Sequence, residues 1–272
     1  MSNSFLFTGG DQRQLYAAET LLNKGSKTAF YGFSEKDSFS YTENYDYFVL
    51  PAPFSKDAEN IFAPFTDAKI PFSELNKFNT PKAIIGGNLN SLKEFMSCEI
   101  FDLLKCEEYN ILNATATAEG AISLAIENTA FNLRGSTALI CGYGKIGKIL
   151  AHDLLAIGAN VFVAARKETD RAYAKTHGFT SLDYNELEFY ANRFDIIFNT
   201  VPTLIIKEEI IKKLKKRCLA IDLASKPGGF DFASLDACGI KNLWALGLPG
   251  KYSPETSGEI IAEIILKITG GA

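Results

Sequence analysis

Ala138-Leu139-Ile140-Cys141-Gly142-Tyr143-Gly144-Lys145-Ile146-Gly147 is the stretch that decides the fold. Ala138 to Cys141 is a short apolar run of strand length, and Lys145 to Ile157 has helical apolar spacing closed by Gly158. Between them stands a GxGxxG pattern. In that context Gly142 permits the tight turn, Gly144 lets backbone N–H groups approach a pyrophosphate, and Gly147 allows close helix–strand packing. The helix N-terminus adds partial positive charge for the anion. Gly142, Tyr143, Gly144, Lys145, Ile146 and Gly147 are therefore candidate cofactor-binding residues.

The next strand, Asn160 to Ala165, reads the ribose. An NAD site usually places Asp or Glu at its end, on the ribose 2′-hydroxyl. Here the strand runs into Arg166-Lys167, with Arg166 standing 19 residues after Gly147. A guanidinium there matches a 2′-phosphate, so the expected cofactor is NADP rather than NAD. Two later strand ends face the same crevice, because ligands of open parallel sheets bind at the carboxyl ends of strands. One carries Thr200, Val201 and Pro202; the other carries Asp222, Leu223 and Ala224. Asp222 has a second reading, as a cap for backbone amides of its own loop.

Outward from this core the chain alternates strands and helices, the pattern of an α/β protein with parallel sheets. Upstream, Phe5 to Thr8 reads as a strand, Asp11 as an N-cap, and Gln12 to Asn23 as a helix. Thr28 to Tyr31, Tyr47 to Leu50 and Ala83 to Ile85 read as further strands. The segment 51–81 holds five prolines and reads as loop with short helical pieces. Asn90 to Cys98 and Ala118 to Phe131 read as helices. Downstream come helices at 168–176, 183–191, 207–216 and 231–238, with strands at 194–198, 218–222 and 240–244. Ser257 to Ile268 is a closing helix with no strand after it, so it is expected to return to the first domain. The expected division is 1–117 with 252–272 as the substrate and catalytic domain, and 118–251 as a Rossmann dinucleotide-binding domain.

Composition bounds the function. The chain has 272 residues, 47% apolar and 22% charged, with net charge −4. That balance argues against a broad nucleic-acid surface, which needs many phosphate-neutralising cations. No apolar run of about 18 residues predicts a membrane span. The first residues, MSNSFLFTGGDQRQ, lack the basic region and apolar length of a secretory signal. Five cysteines without a CxxC pair point to free thiols in a reducing, cytoplasmic compartment. Two histidines alone, His152 and His177, argue against a zinc site. Neither sits where a general acid/base of a histidine-dependent 2-hydroxyacid dehydrogenase would stand. A homodimer is the base-rate expectation.

Chemistry then falls to loop residues. Gly9-Gly10-Asp11-Gln12-Arg13 places a diglycine turn at a strand–helix junction, with a cation in the first helical turn, against the helix dipole. That placement suggests a carboxylate ligand for Arg13, beside Gly10 and Asp11; an ordinary exposed arginine is the other reading. Thr117 and Glu119 open a helix expected to bridge the domains and line an interdomain crevice. Gly247 to Pro254 reads as a stiff loop in which Pro249 and Gly250 present Lys251. The basic run Lys212 to Arg217 reads as the solvated end of a helix.

Taken together, the motifs GGDQRQL (9–15), TAEGAI (117–122), GYGKIG (142–147), DLASKPGG (222–229) and GLPGKYSPETSGEII (247–261) resemble one family, the A subunit of dipicolinate synthase. Family members generally carry Ile-Pro where this chain has Thr115-Ala116. The resemblance implies an arrangement like formate/glycerate and alanine dehydrogenases. It also implies an NAD(P)-dependent subunit that works with a flavoprotein-like B subunit. Such a pair makes dipicolinate, the spore calcium chelator, from a dihydrodipicolinate-type product of the lysine pathway. Oxidising a dihydropyridine dicarboxylate creates an aromatic ring, so the site needs hydride alignment, one proton acceptor and carboxylate clamps. Arg13 and Lys251 are the expected clamps and Glu119 the proton acceptor. The alternatives are a dehydrogenase of another small keto, imino or amino acid, and a non-catalytic nucleotide-binding partner subunit.

Overall fold

The computed structural model describes residues 2–270. It divides into two compact units, residues 1–113 with 253–272, and residues 114–252.

The first unit begins with β1 (Ser4–Thr8), α1 (Gln12–Asn23), β2 (Lys27–Tyr31) and β3 (Tyr47–Val49). A two-stranded antiparallel pair, β4 (Asn60–Ile61) and β5 (Ile70–Pro71), rises within the proline-rich segment. β6 (Ala83–Gly86) and β7 (Glu99–Asp102) complete a five-stranded sheet of order β2-β1-β3-β6-β7, parallel throughout. The chain leaves β1 to one side for β2 and returns to the other for β3, so the topological switch lies between β1 and β3.

Alternation along β1 sets the two cores. Phe5 and Phe7 join α1 and the terminal helix Pro254–Thr269, whereas Leu6 joins Phe48 and Ile84 on the other face. The terminal helix buries Ile260, Ile261, Ile264 and Ile265, each contributing roughly 2 kcal/mol. It lies so close to α1 that a Cβ on Gly258 would meet the Arg13 carbonyl oxygen and Tyr16 Cβ, both at 2.6 Å.

The division between units falls inside α2 (Glu107–Asn128). The second unit then runs β8 (Thr137–Cys141), α3 (Lys145–Ile157), β9 (Asn160–Ala164), α4 (Glu168–Thr176), β10 (Thr180–Leu182), α5 (Leu187–Tyr190) and β11 (Ile196–Asn199). It continues with α6 (Glu208–Ile211), β12 (Leu219–Asp222), α7 (Phe232–Ala237), β13 (Lys241–Trp244) and α8 (Leu248–Tyr252); the terminal helix is α9. Its sheet is parallel, in the order β10-β9-β8-β11-β12-β13. The switch point lies between β8 and β11, the doubly wound order of a Rossmann domain. Ala138 and Ile140 face one core, Leu139 and Cys141 the other.

Several elements differ from the sequence expectation. The helix expected at Asn90 to Cys98 is a 3-10 segment, Leu89–Glu94, followed by β7. α2 starts at Glu107 rather than Ala118, with Glu107 and Glu108 favouring its N-terminal dipole. The loop 247–254 contains α8, because a proline is tolerated in a first helical turn. The helix expected over 207–216 stops at Ile211. Its basic run lies beyond the helix, where Lys212 pairs with Glu208, Lys213 with Glu188, and Lys215 and Arg217 with Asp195, while Lys216 donates to the Cys238 carbonyl.

Candidate functional site

The turn after β8 is built to be open. Gly142 has φ +99°, a left-handed conformation, and a Cβ there would run into the Thr200 hydroxyl and lie 2.7 Å from Val201 Cγ2. Thr200 is held in place by donating from both its N–H and its Oγ1 to the Cys141 carbonyl, each at 2.9 Å. A Cβ on Gly147 would strike the Gly142 carbonyl, so α3 packs directly on the turn. Gly144 is the N-cap of α3 and brings no side-chain cap. Nothing lies within 4 Å of the position its Cβ would take. α3 thus starts without a side-chain cap, with open space over its N-cap, and the positive end of its dipole faces the open side of the turn. That cradle fits the pyrophosphate of a dinucleotide.

The turn forms one wall of a groove of about 800 Å³, within the usual range for small-molecule sites. Of the cofactor residues expected from sequence, Gly142, Tyr143, Gly144, Arg166, Lys167, Thr200, Val201 and Pro202 line it together. Lys145, Ile146 and Gly147 belong to α3 beneath the turn and do not line it. Asp222, Leu223 and Ala224 are buried and lie outside its walls. The Asp222 carboxylate accepts from Asn199 Nδ2 (2.8 Å), the Ala224 N–H (3.0 Å) and the Gly229 N–H (2.7 Å). Asn199 also donates to the Val201 carbonyl. The pair ties the loops after β11 and β12 to each other, which is the capping role.

Residues without a motif complete the walls, notably Asp170, Tyr184, Asn185, Glu188, Leu204 and Lys207. The signal that points to them is topological: the segments after β9, β10 and β11 converge at the carboxyl edge of the sheet. Arg166 and Lys167 are exposed in the groove, and among the described residues Arg166 has no ion-pair partner. Burial pushes the Tyr184 phenol up to about 12; Cys141, Asp170 and Asp183 add to this and Arg166 opposes it. Tyr143 is also raised, by burial and by Asp170. Both phenols stay protonated near neutral pH.

The turn after β1 is closed. Asp11 is the N-cap of α1; its carboxylate accepts from the Arg13 N–H, and Gln14 Oε1 accepts in return from the Asp11 N–H. The Arg13 guanidinium is buried and bidentate on Asp11, with Nε to Oδ1 and Nη2 to Oδ2 both 2.9 Å. Nη2 also reaches the Ala52 carbonyl at 3.3 Å. Burial works against this charge, but Asp11 and the Tyr109 phenol outweigh it and hold Arg13 above its ordinary value. Arg13 is thus neither exposed nor awaiting a counter-ion. Gly10 forms the turn at φ +108°.

The other expected substrate residues lie on α2 and α8 of the second unit, two helices packed so closely that a Cβ on Gly120 would lie 2.9 Å from Leu248 Cβ. Thr117 is buried in α2. Glu119 is exposed and stands close enough to Asp153 of α3 to help raise that carboxyl, after burial. Pro249 is buried in α8, Gly250 is half-buried, and Lys251 is exposed. Lys251 Nζ donates to the Tyr252 hydroxyl at 3.0 Å, which donates to Glu127 at 3.0 Å. His152 and His177 stack edge to face on the surface, 5.1 Å between ring centroids. Among the described residues no group of three or more His, Cys, Asp or Glu could hold a metal ion, and no helix is long and apolar enough to cross a membrane.

Comparison with known proteins places this geometry. Residues 4–105 match the family model of the N-terminal domain of the dipicolinate synthase A subunit. Residues 112–225 match that of the D-isomer specific 2-hydroxyacid dehydrogenase, NAD binding domain. The chain is 29% identical to the A subunit of dipicolinate synthase from Bacillus subtilis (strain 168), over 96% of this chain and 93% of the relative. The crystal structure of the A subunit of dipicolinate synthase from Bacillus halodurans superposes with a TM-score of 0.89 at 28% identity, covering 98% of this chain and 97% of that one. The crystal structure of the Bacillus subtilis protein gives 0.86 at 28% identity, covering 99% and 96%. With its open pyrophosphate turn and its NAD-binding domain, the chain is an NAD(P)-dependent oxidoreductase, similar along nearly its whole length to dipicolinate synthase A subunits.

Proposed function

We propose that the chain is an NADP-preferring oxidoreductase subunit that, with a flavoprotein-like B subunit, converts dihydrodipicolinate to dipicolinate in the cytoplasm of a sporulating cell, at a branch of the lysine pathway. The observation that carries the reading is the uncapped start of α3 sharing a groove with Arg166, a guanidinium that no carboxylate of the described residues neutralises. A 2′-phosphate supplies the missing anion. Asp170 in the same groove is the residue that would favour a plain ribose instead, so NAD is the second cofactor to test.

Bound in the groove, a nicotinamide supplies a two-electron hydride acceptor. The dihydropyridine dicarboxylate loses one hydride and one proton and becomes aromatic. The chain's part is to orient the ring, hold two carboxylates and take the proton. Lys251 is proposed as one carboxylate-holding cation and Arg13 as the other, Arg13 exchanging its Asp11 contact for a substrate carboxylate, with Gly10, Asp11, Thr117, Pro249 and Gly250 around the substrate and Glu119 as proton acceptor. Residues 1–117 with 252–272 take the substrate role in this reading and 118–251 the nucleotide role; a homodimer is its expected state.

The test is incubation of the purified chain with dihydrodipicolinate and NADP or NAD, with and without a B subunit. Absorbance reports dipicolinate and reduced nicotinamide together. The expected result is formation of both, faster with NADP. Turnover of a different small keto, imino or amino acid only would replace the substrate, and nucleotide binding without any redox change would make this a non-catalytic subunit.

A further inference from the structure

Arg171, in the first half of α4, does not line the groove, yet its guanidinium holds the walls that do. Its Nη1 donates to the Ala165 carbonyl, the Arg166 carbonyl and Asp183 Oδ2, each at 2.8 Å. The first two acceptors belong to the segment after β9 that presents Arg166 and Lys167. The third stands at the end of β10, immediately before Tyr184 and Asn185. Asp183 is itself braced: its Oδ1 accepts from the Asn185 N–H at 3.1 Å, and its own N–H donates to Glu186 at 2.7 Å. One side chain, about a quarter exposed, therefore locks two adjacent loops whose side chains meet in the groove.

We infer that Arg171 is the positioning residue for discrimination at the ribose 2′ position, acting through the backbone of Arg166. The inference rests on the reading of Arg166 as the 2′-phosphate residue. Arg166 is exposed and, among the described residues, its guanidinium has no ion-pair partner to fix where it sits. Its carbonyl is fixed by Arg171. The three acceptors converge on Nη1, whose two N–H groups lie in fixed directions in the guanidinium plane with one of them shared; a lysine ammonium, one atom shorter and on a flexible stem, does not hold that point. Loss of that hold frees the carrier of the specificity group while leaving the α3 turn, which binds the common pyrophosphate, untouched.

The test is a set of binding titrations with NADPH and NADH on the full chain, carrying Arg171→Lys, Asp183→Asn, Arg166→Ala and the double variant Arg166→Ala/Arg171→Lys. Arg171→Lys is expected to weaken NADPH about tenfold and NADH less than threefold. Asp183→Asn, which cuts the same link from the other side, should move the ratio in the same direction by a smaller factor. In the Arg166→Ala background Arg171→Lys should add nothing to the NADPH loss, because the two act as one unit. Equal losses for both nucleotides, or additive losses in the double variant, would make Arg171 merely structural and overturn the inference. If Arg166→Ala itself leaves NADPH binding unchanged, the 2′-phosphate reading falls and the inference with it. That outcome is distinct from one in which Arg166→Ala lowers NADPH affinity and Arg171→Lys does not.

Discussion

β1 enters α1 through Gly9–Gly10, and β8 enters α3 through Gly142–Gly144; both turns sit at the carboxyl edge of a parallel sheet next to its switch point. In the first unit the N-cap is Asp11, which fills the helix start with its own carboxylate and pairs that carboxylate with Arg13. In the second the N-cap is Gly144, which brings nothing. The same strand–turn–helix therefore has two electrostatic states. One helix dipole is satisfied from within the chain, and the other is left for an outside anion. The choice of residue at a single capping position separates a structural turn from a nucleotide turn.

The strongest way to break this comparison is to open the closed turn. Asp11→Ala removes the cap and strands a buried guanidinium, which should cost about 3–5 kcal/mol of stability in urea denaturation. The double variant Asp11→Ala/Arg13→Met should recover most of it. A single variant as stable as the parent would show that the pair does not hold the turn. Next in size is the converse change, Gly144→Asp. It places a capping carboxylate where the pyrophosphate is expected and should weaken NADP(H) about a hundredfold, roughly 3 kcal/mol, with the thermal midpoint unchanged or raised. Undiminished nucleotide affinity would remove the α3 start from the site.

Asp222→Asn sharpens the picture at a neighbouring strand end. An amide cannot accept from two backbone N–H groups and Asn199 as the carboxylate does, and the expected loss is about 2 kcal/mol. Unchanged stability would return Asp222 to the set of ligand contacts. The smallest effect is at the opposite edge of the same sheet. Asp195 is buried, which raises its carboxyl, but Lys215, the Thr137 N–H and Arg217 outweigh this and hold it below the usual range. A lowered folded-state value stabilises above the ordinary carboxylate value near 4, and the contribution is lost as pH falls through the lowered value. Asp195→Asn should therefore flatten the acid limb of the stability curve below about pH 4, and an unaltered limb would contradict the pairing.

How far the sequence is legible follows from how local each signal is. Lys145–Ile157 and Gln12–Asn23 match their expected bounds because caps and glycines mark both ends. β7 leaves no such mark, since Glu99 and Asp102 give a half-exposed edge strand no apolar run. The early turns of α2 are hidden by Asn110, Asn113, Thr115 and Thr117, weak helix formers whose helicity comes from packing. Among the residues lining the groove, those on the fingerprint and at strand ends can be read. Tyr184, Asn185 and Glu188 cannot, because tertiary folding alone brings them to the groove. Arg13 shows the limit in the other direction: its charge and position are visible, but not that Asp11, two residues away, neutralises it.

The return of α9 onto α1 also orders the birth of the molecule. Residues 114–252 are continuous and can condense as soon as they emerge from the ribosome. The sheet begun by β1 waits with Phe5, Phe7 and Leu21 uncovered until Ile260, Ile261, Ile264 and Ile265 have been translated. The half made first is the half finished last, and through that interval it depends on whatever shields its apolar face.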